Sequence, residues 1–144
     1  MFNNVVVSVT GSAQCRKVAS LALKVSKPGS TVHVVSVLDP AYTVEGDGDG
    51  EPVERDSAAM NEQLIANEVV ADFCEWFKEQ GFQATGKVLS GEVVDEVSSY
   101  AVEQGSEMLV MGHQHMTLLE RWFGASVAKE MLEAAPCPVL IEVR

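Results

Sequence analysis

The residues with the greatest chemical capacity sit in two short runs of the last third of the chain. Met111-Gly112-His113-Gln114-His115 brings a glycine and two imidazoles together, and Gly124-Ala125-Ser126-Val127 brings small residues and a hydroxyl to the head of a helical pattern. Small residues before a helix leave its first N–H groups unpaired, and the macrodipole adds partial positive charge there, so anions collect at such places. Arg121 in the linker supplies a cation, and Ser126 a hydroxyl at the helix start. The chemistry implied is the holding of a phosphate chain. Proton transfer or nucleophilic attack is not implied, because no nucleophile, base and acid fall into a set. His113 and His115 form only an H-x-H pair, too few ligands for a zinc site.

The elements that must position these residues follow from the hydrophobic pattern. Glu107-Met108-Leu109-Val110-Met111 is an apolar run that ends at Gly112, which predicts a buried strand feeding a turn. A helix is expected from Gly124 through Leu132, stopped by Ala135-Pro136-Cys137-Pro138, and a last strand over Val139 to Val143. At the front of the chain, Asn4 to Val9 reads as a strand, with Thr10-Gly11-Ser12 turning into a helix that Ser12 caps and that ends near Val25. Thr31 to Pro40 is nearly continuous in apolar residues, as a strand covered on both faces would be. Ser57 to Glu79 repeats apolar residues at steps of three and four, and Met60, Leu64, Ile65 and Trp76 are assigned to packing. Phe82 to Leu89 is a weaker strand, and a second amphipathic helix runs from Val93 to Gln104. Between these, Tyr42 to Asp56 alternates glycine and acid and predicts a mobile solvated loop. Its resemblance to a calcium loop fails at Pro52.

Strands alternating with helices predict an α/β domain spanning residues 1–144. It is a single doubly wound, Rossmann-like open parallel sheet of about five strands, with helices on both faces and the C-terminal strand at an edge. The binding crevice of such a sheet lies outside the carboxyl ends of its strands.

In Val110-Met111-Gly112, Ser126-Val127-Ala128 and Ala135-Pro136-Cys137-Pro138-Val139-Leu140, in this order and spacing, the chain resembles the universal stress protein family. The resemblance implies a nucleotide site built from Val9, Thr10, Val37, Met111, Gly112, His115, Arg121, Ala125, Ser126 and Val127, with ATP as the cofactor, and the net charge of −11 makes Mg²⁺ a natural companion of a bound triphosphate. It places the backbone of Val37 at an adenine edge. Family members carry an acidic residue where this chain has Thr10, and glycines where it has His115 and Ala125. A threonine cannot take a bidentate pair of ribose hydroxyls, and β-carbons at 115 and 125 crowd a loop that works by close backbone approach. His115 is either a donor to phosphate or a bystander in a site that has lost its ligand. Two functions follow. One is a stress-response regulatory module that acts through self-association and protein partners, with nucleotide binding weakened or lost and no cofactor required. The other is an ATP-binding switch of assembly, with at most slow ATP hydrolysis.

The resemblance also implies a homodimer through Val139 to Val143. The net charge of −11 opposes nucleic acid and anionic lipid. Three scattered cysteines, Cys15, Cys74 and Cys137, and no apolar run long enough to span a bilayer are read as a cytoplasmic protein without membrane insertion.

Overall fold

The structure, a computed structural model, describes residues 1–10, 15–38, 52–112 and 127–142, with the backbone alone at 52–59 and 127–128. Five strands, β1 (Phe2–Ser8), β2 (Ser26–Leu38), β3 (Gln83–Ser90), β4 (Met108–Gly112) and β5 (Val139–Glu142), form one sheet in the order β3-β2-β1-β4-β5. All four pairings are parallel. The helices are α1 (Cys15–Val25), α2 (Pro52–Glu79), α3 (Val93–Gln104) and α4 (Val127–Ala134).

The central strand explains why the sheet is covered twice. Val5, Val6 and Val7 of β1 are all fully buried, so successive side chains on opposite faces both leave water. Val5, Val7, Val32, Val34 and Val110 pack with Val18, Ala22, Val70 and Phe77 of α1 and α2 on one face. Val6, Val35, Leu109 and Met111 pack with Val97, Ala101 and Met131 of α3 and α4 on the other. Burying a valine or leucine contributes about 2 kcal/mol, so these two layers supply most of what holds the sheet.

Three expectations change. The acidic loop assigned through Asp56 gives way to helix already at Pro52, since a proline in the first turn lacks only an N–H that has no helical partner. Residues 42–51 of that loop lie outside the described residues. Met60, Leu64 and Ile65, assigned to packing, are exposed at 66, 62 and 49 %. The reason is length: α2 has 28 residues, about 42 Å of helix, whereas the eight residues of β3 extend about 26 Å. Among the α2 residues whose side chains are described, burial begins at Ala66. Finally, β2 starts at Ser26, directly after α1, with a register shift before Asn4 pairs with Thr31. The Ser26 hydroxyl donates to Ala22 O at 2.7 Å, closing the helix end within the strand start.

Over its packed part, α2 rides unusually close to the sheet at Gly86 of β3. A β-carbon there would fall against Val70 Cγ1 and 2.7 Å from Cys74 Sγ. The glycine is thus a packing surface, set by its neighbours on α2.

The amino ends of β1 and β4 are fastened together. Glu107 N donates to Asn4 O at 2.8 Å, the Asn4 side-chain amide to Gln104 O at 2.7 Å, and Asn3 N to the Glu107 carboxylate at 3.2 Å.

Candidate functional site

In a parallel sheet every connecting helix starts at the carboxyl end of the strands, so the beginnings of α1 and α4 come to the same end of the molecule as Thr10 and Gly112. The strand order reverses direction between β1 and β4, and the crevice of such a fold opens there. The ladder pairs Val5, Val6 and Val7 with Met108, Leu109 and Val110. Beyond it β1 leans toward β2: Val9 N donates to Val35 O at 2.9 Å, while Met111 and Gly112 pair with Ile141 and Glu142 of β5.

Of the residues expected to bind, the structure brings Val9, Thr10, Val37, Met111, Gly112 and the start of α4 at Val127 to this end. Val9 and Met111 are buried, their side chains in opposite cores, so what they offer the crevice is backbone. Val37 is half-buried beside Leu89, its ladder partner. Gly112 is partly open and Thr10 is exposed. His115, Arg121, Ala125 and Ser126 lie outside the described residues, as does Ser12 with its expected cap.

Thr10 has a neighbour that spacing alone does not reveal. Its backbone N–H donates to Cys15 Sγ at 2.8 Å, and its hydroxyl lies 3.2 Å from the same sulfur. Cys15 opens α1 and is buried, so the thiol ties the start of the helix to Thr10. The hint in the sequence was that a residue five positions on, at the first turn of the following helix, faces back toward the strand end.

On the neighbouring strands the carboxyl end is held by a turn. Gly91 N donates to Leu38 O at 3.0 Å, joining the tips of β2 and β3 ahead of α3. Gly91 has φ 141°, and a β-carbon there would lie 2.8 Å from a Glu96 carboxylate oxygen. Glu92 is the N-cap of α3: its carboxylate accepts from Val94 N at 3.3 Å and Asp95 N at 3.1 Å. That end of the sheet thus carries a rigid side at β2–β3 and a gap at β1–β4.

His33, Cys74 and Cys137 are structural. His33 is buried on β2, its Nδ1 2.7 Å from Thr85 Oγ1 and its ring edge-on to Tyr100 with centroids 6.1 Å apart. Burial holds its pKa below the ordinary 6.5, so it is a satisfied neutral histidine and no ligand. Burial likewise raises the thiols of Cys74 and Cys137 and keeps them protonated. None of the three cysteines is in a disulfide. Among the described residues no group of three or more His, Cys, Asp or Glu could hold a metal, and no helix is long and apolar enough to cross a membrane.

Compared with known proteins, residues 1–144 match the universal stress protein family from end to end. The chain is 26 % identical over 144 residues to universal stress protein MJ0531 of Methanocaldococcus jannaschii, covering 98 % of this chain and 82 % of that one. Among solved structures, the hypothetical protein MJ0577 superposes with a TM-score of 0.81 at 16 % identity, over 100 % of this chain and 98 % of the other. The universal stress protein of Archaeoglobus fulgidus in complex with dAMP superposes with a TM-score of 0.62 at 21 % identity, over 97 % of each chain. These two likenesses concern the fold. With the sheet order, the double covering and the whole-length match in agreement, the chain belongs to the universal stress protein family.

Proposed function

We propose that this protein is a regulatory or interaction module of the stress response, cytoplasmic, in which nucleotide binding is weakened or lost. The observation that carries the reading is Thr10. It offers no carboxylate at the end of β1, and its amide and hydroxyl are both turned to the Cys15 sulfur. A ribose arriving there would have to compete with those contacts and would gain no charged acceptor. His115 and Ala125, where relatives carry glycine, act in the same direction by adding β-carbons to a phosphate loop.

The second reading is an ATP-binding switch of assembly, with Mg²⁺ offsetting the charge of −11. It is favoured by the retained Gly112 at the gap between β1 and β4 and by the relative solved with dAMP. Mass spectrometry of protein purified without added nucleotide, followed by calorimetric titration with ATP and Mg²⁺ and with dAMP, separates the two. The first reading expects empty protein and millimolar or weaker affinity. Micromolar binding of either nucleotide would replace it with the second.

Both readings include a homodimer through β5. This strand ends the sheet of the described residues, its residues are half-buried, and a sheet edge of this kind is a template for a second copy. Sedimentation equilibrium at micromolar concentration is expected to give twice the chain mass. A monomer would remove the interface from the proposal.

A further inference from the structure

A cavity among the described residues opens beside Thr10, on the side of α1 and α2. It is a groove of about 800 Å³ between α1 and α2 on the first face of the sheet, a volume suited to a small molecule. On the α2 wall Phe73 and Trp76 are half-buried, while Asp72, Glu75 and Glu79 are exposed at its rim; on the α1 wall stands Arg16.

Trp76 is held in place from behind. Its ring meets Phe77 in a T at 5.0 Å, and Phe77 in turn meets Phe82 at 6.3 Å, so a rigid aromatic surface is presented to the groove. The three carboxylates make no hydrogen bond or ion pair with other described residues. The groove therefore combines aromatic faces with three carboxylates against a single guanidinium.

We infer that this groove binds a linear aliphatic polycation of the polyamine class. Asp72, Glu75 and Glu79 follow one another at rises of about 4.5 and 6 Å along α2. An aliphatic chain bearing ammonium groups every three or four carbons presents charge at comparable intervals. Its methylenes cover Phe73 and Trp76, and an ammonium over the indole face gains a cation–π contact of about 1 kcal/mol or more. Inorganic divalent cations satisfy only the carboxylates.

Calorimetric titration with spermidine at fixed ionic strength tests the inference. One saturable site per chain is expected, weakened roughly tenfold in the Glu75→Gln/Glu79→Gln protein. It should also be weakened in Trp76→Leu and largely retained in Trp76→Phe. The decisive control is Glu130→Gln/Glu133→Gln on α4, which removes the same charge elsewhere and should leave affinity unchanged. These glutamines sit at exposed helical positions with good helix propensity, so the fold is preserved. Equal loss in both double variants, or equal competition by Mg²⁺, would reduce the effect to general attraction to an acidic protein and overturn the site. Absence of spermidine binding, with or without capture of a basic peptide, would overturn it as well.

Discussion

The two faces of the sheet are built on different terms. Under α1 and α2 the contacts are aliphatic and aromatic, with no buried histidine among the described residues, and close approach is secured by a missing side chain at Gly86. Under α3 and α4 the layer includes a polar seam: His33 to Thr85, Tyr100 edge-on to His33, and Lys87 Nζ 5.8 Å from the centre of the Tyr100 ring. The first face depends on volume and the second also on protonation. A change in side-chain size should hurt the first more, and a fall in pH should reach the second through His33.

The largest break of the first face is expected from Phe77→Ala. The ring is fully buried and is shared by α2, Trp76 and Phe82, so its loss should cost about 4 kcal/mol, read as a shift of the urea midpoint at unchanged slope. Gly86→Ala should cost about 2 kcal/mol by overpacking, and Val70→Ala in the same chain should return part of it. If the two substitutions simply add, the close approach of α2 to β3 is not what the glycine secures. Next in size is Glu92→Ala, which removes both carboxylate bonds to the first amides of α3 and should cost about 1 kcal/mol.

The smallest effect sharpens the contrast most. His33 titrates below 6.5 in the folded chain because burial penalises its charged form, whereas it titrates near 6.5 when unfolded. Below that value the unfolded state takes up the proton first. The stability contributed by neutral His33 is therefore complete above pH 6.5 and is lost as pH falls from 6.5 toward its lowered folded value. Denaturation curves from pH 7.5 to 5 should show the loss, and His33→Gln should flatten it within that window. An unchanged slope in His33→Gln would assign the pH dependence to other groups.

Much of this architecture is written in the chain at the level of periodicity. Val5-Val6-Val7 and Val32 to Val35 have no polar face to show, and that is the signature of strands covered twice. The exposure of Met60 and Leu64 was not legible, because a helical repeat reports which residues share a side and is silent on whether anything lies beneath it. The early start of α2 was missed because Pro52 was read as a loop residue although it equally opens a helix. At the crevice, the ends of the strands were legible from Thr10 and Gly112 as boundary residues. The Cys15 contact was not, since it depends on how the chain turns between Thr10 and α1. The groove between α1 and α2 was hidden for a related reason: Trp76 and Glu79 are ordinary helix residues until the distance to the next helix is known.

The fastening of Asn3 and Asn4 to Gln104 and Glu107 lies at the opposite end of β1 and β4 from their gap. Two strands clamped at one end and parting at the other behave as a clothes-peg. Any opening at Thr10 and Gly112 must flex about a fixed jaw, so hydrogen exchange should be slow at the Glu107 amide whatever the occupancy of the far end, with the response growing residue by residue toward Gly112.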